Sequence, residues 1–159
     1  ALIQMIPSNE RILTVEDAPE LSQIKESHPN RVHLFYSRSG KGLSNVTPND
    51  LLESSLRMKP DRILLAELRG EETFYFLRNV NSGHPGSITS VHAESPEGAF
   101  RQLLLYIKDS KAGASFEEQF LMTMLKNMVD IVVQIKAVPG VGRRITEVYF
   151  EPENKGSTR

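Results

Sequence analysis

Three apolar runs in this chain each close on a residue that can do chemistry. Ile12-Leu13-Thr14-Val15 runs into Glu16-Asp17, Ile63-Leu64-Leu65-Ala66 into Glu67, and Ile88-Thr89-Ser90-Val91 into His92. Short, aliphatic, β-branched runs of this kind predict buried strands of a parallel sheet. Ligands of open α/β sheets bind in the crevice at the carboxyl ends of the strands. Carboxylates and an imidazole gathered along such an edge could organise a metal ion, a water molecule or a phosphate.

Each candidate has a chemical and a plain reading. A hydrophobic strand ending in an acid, as at Glu67, is the Walker B arrangement, which organises Mg²⁺ or orients the attacking water in phosphoryl transfer. The same pattern describes a strand whose end is merely solvated. Glu16 and Asp17 are adjacent, so along a strand they face opposite ways and at most one can point at a shared site. Asp17 reads as a turn or cap residue before Ala18-Pro19. His84, in the tight turn Gly83-His84-Pro85-Gly86, and His92 bracket one strand. A histidine near a terminal phosphate can sense it or donate to it. His28 and His33 lack such a context and read as loop and strand residues. A metal-dependent hydrolase using Glu16, Glu67 and His92 as ligands is a further reading, without the i, i+4 histidine pair that would sharpen it. One motif is missing. A P-loop needs G-x-x-x-x-G-K-[ST] between a strand and a helix. The only Gly-Lys is Gly40-Lys41, with Phe35 at the first glycine position and Gly42 at that of Ser/Thr. These residues carry no Walker A cradle.

The elements that must position these groups follow from period and punctuation. Strands are predicted at 11–16, 31–37, 62–66, 87–91, 129–135 and 143–150. The last two are joined through Pro139-Gly140-Val141-Gly142 as a possible hairpin. Ala1 to Pro7 reads as the last turns of an amphipathic helix with Leu2, Ile3 and Ile6 on one face, its first turns lying upstream. The stretch 37–45 is polar and glycine-rich. Thr47, Pro48 and Asp50 supply N-cap, N1 and N3 of a helix whose inner face uses Leu52, Ser55, Leu56 and the Lys59 stem. Thr73, Phe76, Leu77 and Val80 mark the next helix. Phe100, Leu103, Leu104 and Ile107 mark a third. Ser115 and Glu118 predict a capping box for a fourth, with Phe116, Phe120, Met124 and Leu125 inward. Alternating β and α elements imply right-handed crossovers and a mainly parallel sheet.

The bulk properties narrow the classes. The 159 residues carry a net charge of -1, which gives no electrostatic reason to expect nucleic acid or an acidic membrane as partner. There is no cysteine, so disulfide and thiolate chemistry are excluded. No apolar run approaches the roughly 20 residues that span a bilayer.

Taken together, three segments resemble the boxes of a known family. Ile12 to Leu21 resembles the Asp box of secretion ATPases, Leu56 to Gly70 their Walker B box, and Gly83 to Ala93 their His box. Order and spacing are most similar to the traffic ATPase of bacterial type IV secretion systems, a relative of type II secretion and pilus-retraction motors. The resemblance implies an α/β fold: a RecA-like P-loop NTPase core that here lacks its N-terminal strand and P-loop, with a mostly parallel sheet and a C-terminal antiparallel hairpin. It implies a partial ATPase domain over residues 1–150 and a solvated tail over 151–159. By position, Glu67 becomes the Walker B carboxylate and Glu16 the Asp-box carboxylate, with a Mg²⁺ site near both through water. His92, His84 and Arg69 become contacts to the nucleotide region. The parent would use ATP and Mg²⁺ as a homohexamer, working with other secretion components in the cytoplasm at the inner membrane. This chain alone is expected to be inactive, because the Walker A loop would precede Ala1. The alternative is an interaction module that keeps the fold without catalysis.

Overall fold

The computed structural model describes residues 2–21, 24, 27–37 and 45–151. It divides into two compact units, one up to Ser90 and one from Val91 onward. All of the expected tail 151–159 except Glu151, and residues 38–44 of the glycine-rich stretch, lie outside the described residues.

The first unit is built on a four-stranded sheet in the order β2-β1-β3-β4. Its strands are β1 (Ile12–Glu16), β2 (Arg31–Phe35), β3 (Arg62–Leu68) and β4 (Ile88–Val91). β1 pairs in parallel with both β2 and β3. β4 runs the same way along β3. The Ile63 N–H donates to the Ser87 hydroxyl, and three residues on the Ser90 hydroxyl donates to the Ala66 carbonyl. Central β1 is buried at every position, as a two-sided strand requires. One face, through Ile12 and Leu64, packs against Ile6 and Ile24, with Ile3, Leu21 and Ile88 around them. On the helical side α1 (Pro48–Ser55) packs on β1 and on α2 (Glu72–Asn81), which in turn packs on β3.

Local signals worked where they are self-contained. The Thr47 hydroxyl accepts from the Asp50 N–H, and the Asp50 carboxylate accepts from the Thr47 N–H, a complete capping box. Three expectations are corrected. Residues 2–5 form a single 3-10 turn, with Leu2 exposed and Ile6 turned inward. Leu56 leaves the α1 face because α1 ends at Ser55 and tightens into a 3-10 turn, which closes on left-handed Lys59 (φ 51°). β3 runs two residues past Ala66, so Glu67 lies within the strand.

At the amino edge of the sheet, Arg62 grips Glu10 in a two-pronged ion pair and donates to the Gly86 carbonyl at 3.1 Å. The Arg62 guanidinium holds the Glu10 carboxyl below the usual carboxylate range. The folded-state pKa is depressed, so this contribution is complete above the unfolded value and is lost as pH falls through the folded one. Glu10→Gln should therefore be less stable than the parent at neutral pH. The gap should close in acid, which urea denaturation at stepped pH values would measure. An equal gap at pH 7 and pH 3 would refute it.

The second unit carries α3 (Pro96–Asp109), α4 (Glu118–Met128) and an antiparallel hairpin of β5 (Ile131–Val138) and β6 (Gly142–Phe150). α3 is capped by Ser95, whose hydroxyl accepts from the Gly98 N–H. It buries Ala99, Phe100, Leu103 and Ile107, and Phe100 meets Tyr149 of β6 edge-on. Here the expected capping box fails. α4 begins after Glu117 with no side-chain cap, and Leu121 and Leu125 form its buried face. Phe116 and Phe120 are exposed and stack on each other, ring centroids 5.5 Å apart. No helix among the described residues is long and apolar enough to cross a membrane.

Candidate functional site

Register decides which of the predicted site residues meet. In a parallel pair, partnered residues put their side chains on the same face, and successive residues alternate. Thr14 partners both His33 and Leu64, and Val15 partners both Leu34 and Leu65. Glu16 therefore shares the face of Thr14 and His33. Glu67, two residues beyond Leu65, shares the face of Leu13 and Val15. Both acids stand at the carboxyl edge of the sheet, on opposite faces.

Glu16 is fully buried and held within the chain. Its Oε1 accepts the Thr14 hydroxyl at 2.6 Å, and its Oε2 accepts the Leu21 N–H at 2.7 Å. His33 Nδ1 lies 2.8 Å from the same hydroxyl and 3.4 Å from Oε1. Because the Thr14 proton goes to Glu16, Nδ1 is the protonated nitrogen that donates to Thr14. His33, read from sequence as a plain strand residue, is thus the third member of a buried polar cluster. Thr14→Val keeps the shape and removes the link, leaving a buried carboxylate oxygen short of its nearest donor. A loss of about 1–3 kcal/mol is expected from urea denaturation. An unchanged midpoint would mean that Glu16 finds its donors elsewhere.

Glu67 is half-buried, and its Oε2 pairs with the Arg69 guanidinium. Arg69 is two residues further along the same edge and 47% exposed. The Glu67 carboxylate beside it raises its pKa above the ordinary arginine value, and the charges of Asp17 and Tyr36 act in the same direction. Asp17, expected only as a turn residue, carries a negative charge whose field also reaches this arginine. An open groove of about 530 Å³ runs past Tyr36, Thr47, Arg69, Gly70 and Glu72. Glu72 was not among the sequence candidates. It is buried in the first turn of α2, and its Oε1 accepts the N–H groups of Arg69 at 2.6 Å and Gly70 at 3.0 Å.

The histidines separate. His84 stands before β4, at the amino edge, where its Nδ1 donates to the Asn79 carbonyl at 2.9 Å. It does not share an edge with Glu67 in this chain. His92 follows the last residue of β4 and is exposed, at the start of the second unit. His28 is buried and pinned to the Ile6 carbonyl at 2.9 Å, a structural role. Among the described residues, no three His, Asp or Glu side chains are grouped to hold a metal ion. Magnesium needs few protein ligands, commonly one or two carboxylates completed by phosphates and waters. Glu67, at an open edge, fits that part. Glu16, with both oxygens bonded inside the opposite face, fits only if Thr14 or Leu21 lets go.

The sequence pattern of the type II/IV secretion system protein family matches residues 1–140. The chain belongs to that family. It is 51% identical over 152 residues to the type IV secretion system protein VirB11 of Bartonella quintana, covering 96% of this chain and 42% of that protein. A VirB11 of Brucella abortus is 46% identical over 159 residues, with 43% of its length covered. The VirB11 ATPase of Brucella suis, solved with sulphate, superposes with a TM-score of 0.85 at 42% identity, over 97% of this chain and 46% of that one. The Legionella pneumophila ATPase DotB shares the fold, with a TM-score of 0.61 at 23% identity. This family member has the mostly parallel RecA-like sheet with its antiparallel hairpin, and it spans less than half the length of these relatives.

Proposed function

We propose that this chain forms part of the ATPase domain of a type IV secretion motor. In the intact protein, hydrolysis of ATP with Mg²⁺ drives substrate translocation or pilus assembly, as in conjugation. Glu67 supports this reading best, as a half-buried carboxylate at the carboxyl end of a buried parallel strand in a chain half-identical to VirB11. Its role would be to orient the attacking water or a water on Mg²⁺, with the ion supplying charge neutralisation at the phosphates. His92 would contact the nucleotide region. Glu16, the Asp-box acid, would reach that region only after giving up Thr14 or Leu21.

The motor would work as a homohexamer in the cytoplasm against the inner membrane, together with other secretion components. The 159 residues by themselves contain no G-x-x-x-x-G-K-[ST], the loop whose amides and lysine cradle the β- and γ-phosphates. We therefore expect no measurable ATPase activity from them in isolation. Turnover by the purified chain that Glu67→Gln abolishes would refute this. Steady-state ATPase kinetics of the intact protein against its Glu67→Gln variant test the reading as a whole. Equal rates would favour the alternative, a binding module that keeps the fold.

A further inference from the structure

We propose that Glu72 is a positioning residue that acts on Glu67 through Arg69. The inference rests on the hydrolytic role proposed for Glu67 and extends it to a residue five positions further along the chain. Arg69 is the link. Its side chain is 47% exposed, so packing alone does not fix the guanidinium that meets Glu67 Oε2. Its aim depends on the direction in which the backbone launches it. That backbone is the short turn from β3 into α2, and Glu72 ties it down. One carboxylate oxygen accepts two successive N–H groups, those of Arg69 at 2.6 Å and Gly70 at 3.0 Å. A carboxylate accepting backbone N–H groups makes charge-assisted, short hydrogen bonds.

The fit around the turn is close. A Cβ at Gly70 would stand 3.3 Å from Glu72 Oε2, tighter than ordinary contact, so the carboxylate occupies the space that a glycine leaves. Glu72 is only 7% exposed, which leaves little room for it to move off the turn. The Thr73 N–H closes back on the Gly70 carbonyl at 3.1 Å, coupling the turn to the start of α2. The chain of contacts runs from the α2 carboxylate to the turn amides, from the turn to the Arg69 guanidinium, and from there to Glu67. Near-attack placement is sensitive: a displacement of about 1 Å can cost up to a hundredfold in rate.

The test uses ATPase kinetics of the intact protein with thermal melts. Glu72→Gln keeps an acceptor oxygen at the same reach and should hold kcat within about threefold. Glu72→Asp keeps the charge but falls one methylene short, and Glu72→Ala removes the acceptor. Both should lower kcat about tenfold with KM changed less than about twofold, as expected when a transition-state interaction alone is weakened. The deciding measurement is the double variant. In a Glu67→Gln background, Glu72→Ala should change kcat less than about twofold, because residues acting as one unit are not additive. A further tenfold loss in that background, or a Glu72→Gln variant as slow as Glu72→Ala, overturns the inference. A Glu67→Gln variant at parental rate instead overturns the reading of Glu67 itself. Should Glu72→Ala fail to fold, the Asp and Gln pair still decides, since they separate reach from charge.

Discussion

Glu67→Gln should reduce ATP hydrolysis by the intact protein on the order of a hundredfold or more, a size typical of groups that act mainly in the transition state. The substitution is nearly isosteric. The amide oxygen can still face Arg69, and the buried strand β3 keeps Ile63, Leu64 and Leu65 in the core. Nucleotide affinity should therefore change little, and the loss should fall on kcat with KM nearly constant. Thermal melts should agree within a few degrees, because only a half-buried oxygen has been exchanged. Glu16→Gln should behave differently. Its effect on hydrolysis should be smaller, while its effect on stability should be larger, because Glu16 is fully enclosed by Thr14 and Leu21. A Glu67→Gln enzyme running at parental rate would mean that this carboxylate is only the solvated end of a strand.

Gly113→Ala should be the most damaging single-atom change in the second unit. Gly113 sits in the turn after α3, where its N–H donates to the Ser110 hydroxyl at 3.0 Å. A Cβ there would lie 2.2 Å from the Ile107 carbonyl oxygen and 2.5 Å from Ile107 Cγ2. Neither can yield easily. The carbonyl already accepts from the Ser110 N–H at 3.1 Å and from the Ser110 hydroxyl at 2.6 Å. Ile107 itself is fully buried. Overpacking of this kind against fixed backbone costs about 3 kcal/mol. For a protein of this size that is a fall in Tm on the order of 10 °C, readable by calorimetry. A melt within a degree of the parent would show that the turn can open without penalty.

Much of this was legible in the sequence, because the signals are local. Thr47, Pro48 and Asp50 name a helix start through contacts three residues apart. The alternation of strands and helices fixed the parallel sense of the first sheet, and the glycine-proline turn marked the hairpin. What was not legible depends on register, a property of two strands and not of one. Adjacent Glu16 and Asp17 had to face apart. That Glu16 falls on the face of His33, and Glu67 on the other, needs the pairing of Thr14 with His33 and of Val15 with Leu65. The failure at Phe116 and Phe120 has a different cause. Ser115 and Glu118 offered a plausible cap, but α4 starts two residues later, and its buried face is made by Leu121 together with the expected Leu125, leaving Phe116 and Phe120 exposed. Glu72 looked like any acid favoured by a helix dipole. Its reach back to Arg69 and Gly70 exists only once the preceding turn has its shape.

The alternation along β1 also works as an address. Glu16 and Asp17 are one residue apart, so the length of β1 determines which acid is delivered to which side of the sheet. Deleting a single residue between Ile12 and Val15 would rotate the rest of the strand by half a turn. Asp17, one methylene shorter, would then take the place of Glu16 on the face of His33, from which the Thr14 hydroxyl would itself have been removed. Glu16 would be sent out beside Glu67, two like charges competing for one arginine. The apolar composition of the strand could survive such a deletion intact while its delivery of charge was inverted. In this segment residue count carries information separate from residue type, and an insertion or deletion would be a more severe lesion than most substitutions.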